Sequence, residues 1–458
     1  MSKRVSRRSA LAGAAAAGLA LRLPALAQDA TPASSPAAAL PEFTRDTSIT
    51  SWGFGVEETN PMAFSRVEAF KQAYPSIDLT VVPEFDEQKL LTGVASGNVP
   101  DLLWIDRGAT GTWAARDVLM PLDDFFASAG IDASQFYDSA INEVLYQDQH
   151  YGLPQFMVVQ AIYANDQALS DAGSDAASLD TSDWDGLTTL AQSLVQKNGD
   201  QLTRWGLDHK MQAGALWAWG LGNGGAFVDG EGNPTFNYPK IVEALDWGVS
   251  DYDAQGGFTD YSSFSSTWQG DEQFARQQVA LTVYESWMLG IVARVAPDLA
   301  FHVLPMLPKG GGDPFSTTSG NAWAIPKDAG DAEAAQVFIE FMNRDDTWMI
   351  GAKAVKDNKV QNNQPYIPSL TGKPSADQAQ IDQFYESIAA PFDDAVKLFP
   401  QILQTSQVRP ISASPVGQQY DDILKEAAQS ALRKEKSAED ALNNANDKAK
   451  DALSEFSS

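Results

Sequence analysis

Between Val67 and Asp106 the chain changes its hydrophobic period three times. Val67, Phe70 and Tyr74 recur at helical spacing and mark one face of a helix that Pro75 stops. Ile77, Leu79 and Val81 then alternate with polar residues, the period of a half-buried strand. Leu90, Leu91, Val94 and Ala95 return to helical spacing, and Gly97 stands where a C-cap glycine belongs. A turn over 98–101 leads into Leu102, Leu103, Trp104 and Ile105, an uninterrupted apolar run suited to a buried strand. The stretch predicts one βαβ unit, and with it a parallel sheet.

The same reading extends to both sides. Residues 49–54 predict the first strand, and Asn60-Pro61 the start of the helix behind it. Ser182 with Asp185 reads as a capping box ahead of a helix faced by Leu187, Leu190, Leu194 and Val195. Residues 241–252 and 334–342 predict further helices, and 268–287 a helix followed by a strand. Ser437 with Asp440 forms a second box, ahead of a terminal helix lined by Ala441, Leu442, Ala445, Ala449, Leu453 and Phe456.

Composition narrows the function. With 458 residues, 44% hydrophobic and 20% charged, the chain is of ordinary globular make-up and long enough for about two domains. Its net charge is −28. The first 28 residues hold five bases and no acid, and without those bases the charge is −33. Such a surface repels nucleic acid and anionic membranes. There is no cysteine, which removes disulfides, thiolate nucleophiles and a lipid-modified cysteine at the N-terminus.

Residues 1–27 read as an export signal. Lys3 to Arg8 is the basic part, an Ala/Leu run follows, and Ala25-Leu26-Ala27 has the form of a cleavage site. Ser6-Arg7-Arg8 with Leu11 resembles a twin-arginine signal, while Ala10 stands where an aromatic is usual, so the twin-arginine and general secretory routes both stay open. Residues 28–45, rich in Ala, Pro, Ser and Thr toward their start, read as a flexible linker. No later run approaches the 18 apolar residues of a membrane span.

Two motifs fail their context. Gly220 to Gly225 satisfies G-x-G-x-x-G, but no β-branched strand precedes it, so it is not a dinucleotide site. Asp229 to Asn233 resembles the start of a calcium loop, but Pro234 and Lys240 occupy positions that need glycine and glutamate, so a hairpin turn is expected. His150, His209 and His302 show no metal spacing, and no catalytic constellation stands out, so neither metal, cofactor nor enzyme activity is expected.

Several segments, in order, resemble the family 1 extracellular solute-binding proteins, the sugar-type receptors of ABC importers. They include Ala95-Ser96-Gly97-Asn98-Val99-Pro100-Asp101, Tyr151-Gly152-Leu153-Pro154 with Tyr163-Ala164-Asn165, Trp184-Asp185, and Ser319-Gly320-Asn321-Ala322-Trp323. Phe274 to Leu281 departs from the family, which has a glycine and a methionine there. The resemblance spans most of 46–458. It implies an α/β, two-lobed periplasmic-binding-protein fold (type II-like), each lobe a sheet flanked by helices, with hinge crossovers. Residues 46–156 and 319–366 would form lobe 1, and 157–318 and 367–458 lobe 2.

The implied function is an exported receptor that binds a carbohydrate between the lobes and delivers it to the permease of an ABC importer. It would work as a monomer at the periplasmic or extracellular face. A sugar ring needs a flat aromatic under its C–H face and amides or carboxylates around its rim. With 12 Trp and 12 Tyr the chain can supply platforms. The candidate ligand-binding residues are Trp217 and Trp287 as platforms, Phe156 and Tyr284 as walls, and Glu57, Asp106, Gln155 and Asn321 as hydrogen-bonding groups. The resemblance places Trp287 where sugar-binding relatives have a stacking tryptophan. Two alternatives remain: a receptor for a glycerol phosphate ester or polyamine, and a secreted carbohydrate-active enzyme.

Overall fold

The computed structural model describes residues 40–229, 232–406, 409 and 414–456. The expected export signal and the first part of the linker lie outside the described residues.

The βαβ unit forms as expected. Strand β1 (Thr47–Trp52) is followed by the helix Pro61–Ala73, then β2 (Ile77–Val82), the helix Glu87–Ser96 and β3 (Leu102–Asp106). The side chain of Asn60 accepts the N–H of Ala63, with Pro61 at the first helical position. Gly97 closes the second helix at φ 69°. The strands are parallel, with β1 between β2 and β3. The terminal helix Ala438–Phe456 starts as expected, with the N–H of Asp440 donating to Ser437 Oγ at 3.0 Å.

Two local expectations are corrected. The helix Trp184–Leu194 is capped by Asp183, which accepts the N–H of Gly186 at 2.9 Å, while Ser182 Oγ donates to Asp180 instead. Residues 266–277 form turns rather than a helix before their strand. Gly220 lies inside the helix Leu216–Gly222, so the glycine-rich stretch is no phosphate loop.

The remaining strands are β4 (Leu145–Tyr146), β5 (Gln149–His150), β6 (Leu153–Asn165), β7 (Gln196–Asn198), β8 (Gln201–Asp208), β9 (Val279–Glu285), β10 (Phe301–Leu304) and β11 (Thr318–Ala324). Among the described residues nine of the eleven strands form one sheet, in the order β2-β1-β3-β11-β6-β9-β8-β7, with β10 also on β6. The sheet is continuous because β6 is 13 residues long and changes partners midway. Leu153 to Val159 pairs antiparallel with β11, and Gln160 to Asn165 pairs with β9 and β10.

The apolar clusters divide at the same place. Residues around Phe70, Leu102, Trp323 and Phe338 pack on one half of the sheet, and Trp113 with Leu103 and Leu119 pack beside them. Trp184, Trp219, Trp247 and Tyr420 fill one side of the other half, and Trp205, Tyr252, Phe274 and Phe399 the opposite side. Burying such aromatics dominates core energetics, at 150–250 Å² per ring by general experience.

Candidate functional site

β3, β11 and β6 bring three of the candidates into a row. Asn321 pairs directly with Asp106 on one side and with Phe156 on the other. Directly paired residues share a face of the sheet. The register requires Gly320, at φ 146°: a Cβ there would lie 1.9 Å from the Phe156 carbonyl oxygen and 2.5 Å from Arg107 Nη1. Asp106 starts the next turn by accepting the N–H of Gly108 at 2.7 Å, and its side chain stays largely exposed.

Beneath this row is a buried ionic cluster that sequence spacing did not reveal. Glu143, fully buried, accepts from Arg107 Nε at 3.0 Å and from Arg409 Nε at 3.3 Å. Arg107 also donates to the carbonyl of Phe156, and Arg409 Nη2 lies 4.0 Å from Asp106 Oδ1. Two guanidiniums thus face two carboxylates in a region where an unpaired charge is costly.

Trp287 and Tyr284 meet at the C-terminal end of β9. Trp287 is 39% exposed, the largest side chain among the exposed hydrophobics, and precedes the helix Met288–Val295. Tyr284 is buried. Its hydroxyl donates to Asp271, and burial first, then that carboxylate, push its pKa up. Lys210 reaches the same ring, with Nζ 5.0 Å from the Tyr284 centroid and 5.8 Å from that of Trp268. Lys210 is fixed by Asp208, whose Oδ2 is 3.0 Å from its Nζ. Asp208 also accepts from the hydroxyls of Tyr252 and Tyr261, each at 2.9 Å. Burial alone would raise the Asp208 pKa, but Lys210 and the side-chain amide of Gln212 hold it below the usual carboxylate value.

Trp287 and Phe156 line one pocket of about 1030 Å³, part of it open solvent. Residues of the segment 364–370 contribute to its wall, and Lys359 and Arg294 also line it. A concave, mainly apolar surface with a few placed polar groups is the usual form of a small-molecule site.

Of the eight candidates only Phe156 and Trp287 line this pocket; Asp106, Asn321 and Tyr284 are outside its lining, and the remaining three are placed as follows. Trp217 is a core residue: it is 1% exposed, packs 4.4 Å from the ring of Phe227, and donates its indole N–H to Asp421 at 2.9 Å. It has no open face to offer a sugar. Gln155 sits at a bulge between β6 and β11 and turns inward, accepting from Arg66 Nη2 at 2.7 Å and donating to the Met342 carbonyl at 3.4 Å. Its amide is used by the fold. Glu57 is exposed on the loop after β1, outside the pocket lining. Among the described residues no group of three or more His, Asp or Glu is placed to hold a metal ion.

Comparison with known proteins adds the relationship. An arabinooligosaccharide-binding protein of Halalkalibacterium halodurans is 23% identical over 206 residues, 43% of this chain. The match spans 44% of the length of that relative. CpMnBP1 with mannobiose bound superimposes at a TM-score of 0.71 and 23% identity, over 88% of this chain and 99% of its own. An ABC substrate-binding protein of Listeria monocytogenes in complex with cycloalternan gives 0.70 at 20% identity, over 89% and 99%. UgpB of Mycobacterium tuberculosis, in complex with glycerophosphocholine, gives 0.69 at 16%, over 90% and 100%. These likenesses establish the fold, the two-lobed α/β architecture of periplasmic binding proteins. The model of the bacterial extracellular solute-binding proteins matches residues 65–358, and the chain belongs to that family.

Proposed function

We propose that this protein is an exported receptor that binds an oligosaccharide between two lobes and hands it to an ABC-type permease, without chemical conversion. The observation that carries the reading is Trp287: a large aromatic left open at a pocket wall, braced by Tyr284, in a pocket that Phe156 also lines. An open indole suits the apolar face of a pyranose, and the Asp106–Asn321 pair supplies acceptors and donors of the kind a hydroxyl rim needs. That structural relatives were solved with mannobiose and cycloalternan fits this. The likeness to UgpB keeps a glycerol phosphate ester as the second reading.

We assign residues 46–156 and 319–366 to the first lobe and 157–318 with 367–458 to the second. The leader, through either export route, delivers the protein outside the cytoplasm as a monomer without a cysteine-linked lipid. Among the described residues no helix is long and apolar enough to cross a membrane.

A thermal-shift screen against a carbohydrate library tests the reading, because a ligand that binds only the folded state raises Tm. The expected result is a rise with one class of oligosaccharide and no product by mass spectrometry. Catalytic conversion of the bound sugar, or no shift with any saccharide, would overturn it.

A further inference from the structure

The composition of the chain and the lining of its pocket have opposite charge. Acids outnumber bases 60 to 32. Yet the ionisable residues lining the pocket beside Trp287 are Arg294, Lys359 and Asp377. Asp377 is turned into the hinge, its Oδ1 accepting from the N–H and hydroxyl of Thr371 at 2.8 and 2.7 Å. Burial pushes it up to about 7, so only about half of it carries a charge near neutral pH.

The two groups that stay fully ionised are both cations, and they come from different helices. Arg294 belongs to the helix that follows β9. Lys359 belongs to Asp345–Gln361, which packs on the first helix, Pro61–Ala73. Arg294 donates to Glu272 Oε1 at 3.0 Å, but Glu272 is shared with Arg276 at 2.6 Å, so this trio keeps an excess positive charge. Lys359 Nζ donates to the neutral amide of Gln364 at 3.1 Å and pairs with no carboxylate among the described residues. Burial, and then the nearness of Arg294, lower its pKa: the two cations repel each other across the gap.

We propose that this pocket takes an anionic substituent of the saccharide, a carboxylate of the uronate type, between Lys359 and Arg294 while the sugar ring lies on Trp287. The proposal rests on the carbohydrate reading and narrows it to acidic oligosaccharides. One ammonium and one partly neutralised guanidinium match a single negative charge. The rest of the lining there, with Leu289, Ala293, Val355 and Pro365, is apolar and suits the body of a ring rather than a second charged group.

Calorimetry with the mature protein tests this. The probes are galacturonate, glucuronate and mannuronate trisaccharides, each beside its carboxyl-reduced neutral counterpart, with glycerol 3-phosphate as a further arm. The expected result is that one uronate binds roughly tenfold more tightly than its neutral counterpart, the size of one charge-assisted contact. That advantage should shrink at high salt. Lys359→Met should bring the ratio of acidic to neutral affinity most of the way to one, and because Lys359 is partly exposed the variant should melt near the parent temperature. Equal affinity for acidic and neutral sugars, or an advantage that survives Lys359→Met, overturns the anion pocket alone and leaves sugar binding standing. Binding of glycerol 3-phosphate with no saccharide bound overturns both readings.

Discussion

The indole of Trp287 meets the ring of Tyr284 edge to face, with centroids 5.1 Å apart and planes at 82°. Tyr284 is in turn held by Asp271 and lies beside the Lys210 ammonium. Trp287 therefore has a fixed orientation and an open face, which is the condition for a stacking platform at low entropic cost.

Trp287→Ala should weaken ligand binding by roughly 1–3 kcal/mol, the scale of one large apolar contact. Tm without ligand should stay close to the parent value. A large fall in Tm with affinity intact in the folded fraction would reject the platform role.

Trp217→Ala should do the reverse. Its indole fills the core beside Phe227 and Phe236 and donates to Asp421. The expected loss is about 3–5 kcal/mol of unfolding free energy by denaturant titration, with affinity unchanged in the protein that remains folded. Weakened binding at normal stability would return Trp217 to the site.

Much of this could be read from the sequence, and the failures have physical causes. The βαβ unit was legible because local period, proline and glycine all agreed. Trp217 was separable too: residues 216–220 are buried all round their helix, and a helix apolar on every side belongs to a core. Gln155 was not, because nothing in the local pattern marks the bulge that turns it toward Arg66. Nor was the Glu143 cluster, since its partners lie 36 and 266 positions away and no periodicity links them.

That cluster supports a third prediction. Glu143→Gln leaves Arg107 and Arg409 without their shared counter-charge in a buried setting. The expected cost is about 3–5 kcal/mol of stability, the range for removing one partner of a buried pair. Glu143→Gln at parental stability would mean that water or another carboxylate satisfies the two guanidiniums.

A fourth concerns pH. Burial raises the Asp377 pKa in the folded protein from 3.8 to about 7. Between those values the folded state binds the proton that the unfolded state releases, so this group's contribution is fully present below about pH 4 and is lost as pH rises through about 7. Asp377→Asn keeps the acceptor for Thr371 and cannot ionise. Relative to the parent, it should therefore gain stability as pH rises across that window. Parallel stability profiles for the two proteins would place the Asp377 pKa near its ordinary value.

Saturating ligand should also reduce the radius of gyration in X-ray scattering, because on the proposed lobe assignment closure needs only small dihedral changes where the chain passes from one lobe to the other. Superimposable curves with and without ligand would indicate a rigid pocket.

The shared strand has a consequence for the order of synthesis. The first half of β6 and the open edge of β3 both await β11. β6 ends at Asn165 and β11 begins at Thr318. A ribosome working at roughly 5–20 residues per second needs about 8–30 s to make the chain between them. Throughout that interval two apolar strand edges show unpaired N–H and C=O groups to any neighbouring chain. A nascent chain halted before Thr318 is thus an adhesive species, and one that has passed Ala324 has sealed both edges.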